Sequence, residues 1–258
     1  MNIFKKVLVG AATAAALTAA QASPITVAGV TWDPAYDDDF VATSANMRQF
    51  INTTTGELTG FGVMTALNGD SNFCGAASCQ LTLQFGGFNP TGGTTIPGIG
   101  QTINYTGGYV NVYVGPVRIA NPFDYDALTW ANTQTSTVWL SFANNYNFLG
   151  SNINNSLLSG LGFLDVTGGL AAGHFDTNMQ DFGSDLAFTA SFSDKQIPGQ
   201  ITDMSGTGNF KGASTVPEPA TLALLGISLL GFTVSRRRTK GAATGAADAM
   251  DATSTANA

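Results

Sequence analysis

Two cysteines, a lone histidine and a lone glutamate are the side chains of residues 23–214 whose types best suit chemistry. Cys74 and Cys79 flank Gly-Ala-Ala-Ser. In an oxidising compartment this spacing reads as a disulfide closing a tight loop. So small a loop stabilises by about 2 kcal/mol in the chain-entropy picture. A redox-active pair is one alternative. Zinc is another, but it needs four ligands, or three and a water, and only His174, far along the chain, could join the two thiols. No metal is expected. His174 lies in Gly173-His174-Phe175-Asp176. A catalytic triad would set it as base, oriented by Asp176 or Asp181, beside an attacking serine. Gly-x-Ser-x-Gly is absent from the sequence, so nothing marks that serine. The plainer expectation is a histidine on a turn or strand end. Glycoside hydrolysis needs two placed carboxylates, one of them with a raised pKa; Glu57 has no evident partner. Gly206-Thr207-Gly208 sits in strand-like sequence without a following helix, which is not a phosphate cradle. No catalytic residue and no cofactor are assigned, and a non-enzyme is expected.

Two polar segments complete the candidates. Asp33-Pro34-Ala35-Tyr36-Asp37-Asp38-Asp39 clusters carboxylates, and Ca²⁺ takes six to eight oxygens. It has neither the turn glycine nor the closing glutamate of an EF-hand, so a solvated acidic loop is expected. Residues 144–155 hold six asparagines in twelve positions. They read as a polar loop tolerant of left-handed geometry; contact of their amides with sugar hydroxyls is the alternative.

The elements that must position these residues read as all-β. Gln80–Phe85 alternates strictly, with Leu81, Leu83 and Phe85 on one face. Val110–Val114 and Leu186–Ser193 do the same, as half-buried antiparallel strands should. Further candidates are Ile25–Trp32, Arg48–Asn52, Glu57–Leu67, Ser136–Phe142, Leu161–Val166 and Ile201–Phe210. Glycine pairs such as Gly86-Gly87, Gly107-Gly108 and Gly168-Gly169 punctuate them. Leu157–Leu161 could make one helical turn. Many short strands between turns predict an antiparallel β-sandwich or jelly roll. If Gln80–Phe85 were an edge strand, strand addition into a fibre would follow. Charge narrows the function further. Residues 23–214 carry only Arg48, Arg118, Lys195 and Lys211 against 14 Asp and Glu. So acidic a domain repels phosphate backbones, which excludes nucleic acid as a partner.

The basic residues concentrate at the two ends. Lys5 and Lys6 precede the apolar, alanine-rich stretch Val7–Ala20, and Ala20-Gln21-Ala22 is a small-x-small site. Residues 1–22 therefore read as a signal peptide, for export through the Sec translocon and removal by signal peptidase. At the other end stand Val216-Pro217-Glu218-Pro219-Ala220, an uncharged leucine-rich run to Ser235, and Arg236-Arg237-Arg238. The prolines stiffen and extend the motif. The apolar run gives roughly 24 Å of helix, a short membrane span against the ~30 Å hydrocarbon core. The arginines hold its end on the cytoplasmic side. Residues 241–258 read as a disordered tail.

This order of motif, apolar helix and arginines at residues 215–240 resembles the PEP-CTERM sorting signal. The resemblance implies recognition by exosortase, cleavage near Pro217–Pro219, a transient inner-membrane stage and transfer to the surface or extracellular matrix. Glu57-Leu58-Thr59-Gly60-Phe61-Gly62, Asn72-Phe73-Cys74, Cys79–Phe85 and Gly173–Asn178 resemble flocculation-associated PEP-CTERM proteins. That second likeness implies a role with secreted exopolysaccharide in cell aggregation; a self-assembling matrix fibre protein and a matrix polysaccharide hydrolase are the alternatives. Replacing Pro217, Glu218 and Pro219 together by alanine should trap the protein in the inner membrane, as cell fractionation would show. Unaltered delivery to the surface would refute the sorting role.

Overall fold

Alternation along the chain builds twelve strands among the described residues, and the register of ten of them closes a barrel. The computed structural model describes residues 23–34, 40–75, 78–97, 100–153, 157–194 and 202–215, all within the compact unit Ser23–Val216. The signal peptide, Asp37–Asp39 and the sorting segment from Val216 onward lie outside the described residues. Among the described residues no helix is long and apolar enough to cross a membrane. The strands are β1 (Ile25–Val27), β2 (Val30–Trp32), β3 (Phe40–Ile51), β4 (Leu58–Met64), β5 (Cys79–Ile96) and β6 (Gly100–Thr106). They continue with β7 (Tyr109–Pro116), β8 (Val138–Asn144), β9 (Phe148–Ile153), β10 (Leu157–Gly168), β11 (Leu186–Asp194) and β12 (Asp203–Gly212).

Long strand β5 pairs first with β7, from Cys79↔Pro116 to Gly86↔Tyr109, and then with β6, from Asn89↔Thr106 to Ile96↔Gly100. Strands β6 and β7 thus form one interrupted strand. The next partner is interrupted too: β8 pairs with β7 and β9 with β6. Strand β10 then runs antiparallel to both β9 and β8. The meander continues through β11 and β12, and β12 returns to β3 from Asp203↔Phe50 to Gly212↔Phe40. The result is an eight-stranded up-and-down antiparallel barrel. All-β was the right class, but the expected sandwich or jelly roll is corrected. Two separate sheets need crossovers between them; here each long strand pairs with its neighbours in sequence.

Several local expectations change with it. Gln80–Phe85 is no edge, because β4 and β7 flank it. Leu157–Leu161 is not a helical turn but the start of β10, paired with β9 and β11. Within the asparagine-rich segment, 148–153 is a strand rather than a loop. Gly107-Gly108 does not end a hairpin; it is the kink that joins β6 to β7. Both residues have positive φ, +66° and +96°, and a Cβ on Gly108 would stand 2.4 Å from the Phe88 ring.

Inside the barrel, Met47, Leu81, Leu83, Val112, Leu140, Phe142, Leu164, Leu186 and Phe210 are fully buried. Each such side chain contributes about 1.5–3 kcal/mol by burial. Phe210 stacks on Phe142 and packs against Phe188, with centroids 6.2 and 4.7 Å away. The β7–β8 connection crosses the outer face of β4 and β5. Ile119 and Leu128 from it cover Phe61 and Val63. Thr82 donates to the Thr133 carbonyl at 2.6 Å and Gln84 to the Trp130 carbonyl at 2.6 Å. Both faces of β5 are therefore buried here, which fits its near-continuous burial from Leu81 to Gly86.

One end of the barrel is plugged. The β1–β2 hairpin places Val30 and Trp32 in the core. The Trp32 indole N–H donates to Ser214 Oγ at 3.0 Å, and the Trp139 indole N–H donates to the Val27 carbonyl at 3.1 Å. Phe175 lies against Trp32 at 5.1 Å. The Cys74–Cys79 disulfide sits at this end, immediately before β5, with its Cα atoms 5.3 Å apart. The kink makes the sharpest stability test. Gly108→Ala should cost about 3 kcal/mol or more, combining backbone strain with overpacking. Gly69→Ala, where φ is +77° but no atom lies within 4 Å of the new methyl, should cost about 1 kcal/mol. Denaturant unfolding of the two variants checks the order.

Candidate functional site

The opposite end of the barrel holds the cavity. Here lie the ends of β3, β5, β9 and β11 and the starts of β4, β6, β10 and β12. Beyond Leu58↔Phe88, where β4 begins, β5 runs on with β6 as a projecting lip. Below that rim is a cavity of about 40 Å³ that opens into a wider cleft. Its apolar walls are Leu58, Phe85, Phe88, Ile103, Val110, Phe148, Leu158, Phe188 and Phe192; its polar members are Gln49, Tyr105 and the serines Ser151 and Ser159, whose hydroxyls hydrogen-bond each other. The strand period explains this lining: alternate residues of every strand face inward. Phe148 packs on Phe88 at 5.1 Å and Tyr105 on Phe148 at 6.3 Å.

Two of the polar members, Gln49 and Tyr105, are unusual. Gln49 is only 6 % exposed and Tyr105 only 4 %. No described residue hydrogen-bonds the Gln49 amide or the Tyr105 hydroxyl. Burial raises the Tyr105 pKa above its ordinary value, so the phenol is a neutral donor and acceptor. Buried polar groups are normally paired. Two that face an apolar cavity without a protein partner are available to whatever enters it.

The residues singled out from the sequence lie elsewhere and have other tasks. His174, in the helical turn Ala172–Phe175, presents its ring edge to Trp32 at 5.6 Å, at the plugged end. Glu57 accepts the Gly87 N–H at 3.1 Å, holding the β3–β4 turn to β5. Asp185 was not singled out, yet it is the most buried carboxylate described, at 2 % exposure. Its oxygens accept the N–H groups of Val166, Thr177 and Asn178 at 2.6–2.7 Å. Asp165 is nearby. Burial, then the Asp185 charge, raises its pKa, while hydrogen bonds with Asn145 and Ser184 oppose the shift. This is a carboxylate pair with one raised pKa, but both Asp185 oxygens are committed to backbone, so the pair fastens the β10–β11 connection. Among the described residues no group of three or more His, Cys, Asp or Glu could hold a metal ion. The cavity residues were missed because Gln49 and Tyr105 are single polar residues within strands, and only closure brings β3 opposite β6 and β9.

Fold and site together define a closed β-barrel with a plugged base and an apolar cavity below its rim. A family model, the PEP-CTERM protein-sorting motif, matches residues 215–238. No curated protein and no solved structure matches the chain. The motif implies an exported protein sorted by exosortase, with a membrane-anchored intermediate before surface display.

Asp165 gives a pH test. Its raised pKa means that the folded state holds a proton more tightly than the unfolded chain does. Its contribution is therefore favourable below the ordinary carboxylate pKa and is lost as pH rises through the folded value. Asp165→Asn should raise the denaturant midpoint at pH 7, and the gain over the parent should shrink as the pH falls below about 4. A gain that grows in acid would contradict this reading.

Proposed function

We propose that the chain is an exported cell-surface or matrix protein that acts without catalysis in exopolysaccharide-associated cell aggregation, as in flocculation or biofilm. The observation that carries the non-catalytic reading is the use of the chemically capable groups. Glu57 and Asp185 each accept backbone N–H groups, and His174 packs on Trp32. None of them meets another across the cavity. The sorting motif supports the destination, and the role rests on the resemblance read from the body's sequence motifs alone. Export through the Sec translocon with signal-peptidase removal of residues 1–22 belongs to the same proposal.

The barrel exterior suits a polymer partner better than the barrel interior does. Phe123, Trp130, Tyr146 and Phe182 are exposed aromatics, and such rings combine an apolar face with adaptable edges. Closure of the sheet counts against the fibre alternative, which relied on a free edge at Gln80–Phe85. A matrix hydrolase would reveal itself by turnover of the native polysaccharide.

Deleting the gene should leave cells dispersed, and complementation should restore settling. Settling that is unchanged in the deletion strain would remove the aggregation role. Release of sugars from native exopolysaccharide by the exported protein would instead favour the hydrolase.

A further inference from the structure

We infer that the cavity below the barrel rim is a binding site for a small neutral amphiphile: a short alkyl chain or single ring carrying a hydroxyl or carbonyl group. The inference rests on the cavity alone and does not depend on the aggregation role.

Four observations converge. The walls are aromatic and aliphatic, so an apolar body gains by leaving water. The cavity volume is about 40 Å³. Since one water needs ~10–15 Å³, the enclosed part takes a chain end or one ring, and the open cleft takes the rest. Gln49 and Tyr105 line the same space, both more than nine-tenths buried, with no protein partner for their polar ends. An amide both donates and accepts, as does a phenol, so the pair matches a hydroxyl or carbonyl. No lining residue is charged. A carboxylate or ammonium would enter without a counter-ion, and an unpaired buried charge is strongly disfavoured. Sugars fail for the opposite reason: Ser151 and Ser159 bond each other, and the two remaining polar side chains cannot pair a ring of hydroxyls in largely apolar walls.

Access is also built in. The cavity lies beside the β5–β6 lip, whose residues 91–97 are exposed. The opposite end is filled by Trp32, Trp139 and Phe175. Among the described residues, the way in is therefore past the rim.

The test uses the exported protein recovered from its producing cells, with hexan-1-ol, hexanoate and glucose as probes in a ligand-observed NMR titration. Hexan-1-ol should bind saturably with a Kd of roughly 0.1–1 mM, within the limits for a ligand of this size. Hexanoate should bind at least about tenfold more weakly, and glucose should show no saturable binding. Gln49→Leu and Tyr105→Phe should each weaken hexan-1-ol about tenfold, the loss of one buried hydrogen bond. Leu158→Trp should fill the space and abolish binding. Circular dichroism and melting curves establish that each variant is folded, and a variant that unfolds is replaced by the next of the three. No saturable hexan-1-ol binding would overturn the site. So would binding indifferent to every folded variant, which would place the probe elsewhere on the surface. Equal binding of hexanoate would overturn the preference for a neutral ligand.

Discussion

The barrel and its cavity depend on the pairing of the last barrel strand, β12, with the first, β3. Strands β12 and β3 meet over the whole length of β12, with one irregularity between Gly208 and Phe210. Without this seam the meander would be an open sheet with two unpaired edges and an apolar face in water. With it, the inward residues become a core. A bidentate ion pair crosses the seam near the rim: the Arg48 guanidinium donates to both Asp203 carboxylate oxygens, at 2.8 and 2.6 Å. The hydrogen bond with Asp203 is the chief reason that the Arg48 pKa lies above its ordinary value, with burial acting against it. The same guanidinium lies 5.2 Å from the Phe50 ring centroid. Partly exposed pairs are modest contributors to stability, and the value of this one lies in fixing register where no turn joins the strands.

Closure also sets the economy of the interior. Eight strands leave a lumen only about as wide as side chains can fill. Here large side chains are accommodated by glycines on neighbouring strands. A Cβ at Gly160 or Gly162 would collide with the Phe148 ring, at 2.6 and 2.4 Å, and one at Gly208 would meet Met47 and Phe188. Large and small residues thus alternate between adjacent strands, as the interiors of small barrels require. The filling is complete at the base, where two tryptophans and Phe175 converge. It is incomplete at the rim, and that difference produces the cavity. The cavity is therefore a consequence of how aromatics and glycines are distributed along the barrel axis.

The strands were largely legible in the sequence, because period-2 alternation is a local signal. Leu81, Leu83 and Phe85 fall on one face in the barrel as the pattern requires. The turns and ends were less so. Asparagine is a poor strand former in isolation, yet Phe148–Ile153 is held as a strand by β6 on one side and β10 on the other. Leu157–Leu161 similarly owes its conformation to two neighbours. Barrel and sandwich share the same alternation, and only the β12–β3 pairing, distant in sequence, separates them. The candidate site was illegible for the same reason: Gln49, Tyr105, Phe148 and Phe188 belong to four different strands.

The base of the barrel gathers both ends of the described chain. Ile25 begins the hairpin that plugs it, and beyond β12 Ser214 accepts from Trp32 while the Thr215 N–H donates to the His174 carbonyl at 2.7 Å. These bonds pin the exit point of the chain to the base. The barrel is in this sense a cup held by its foot. A pull on the chain at residue 215, or at residue 23, is therefore borne by the foot rather than by the brim.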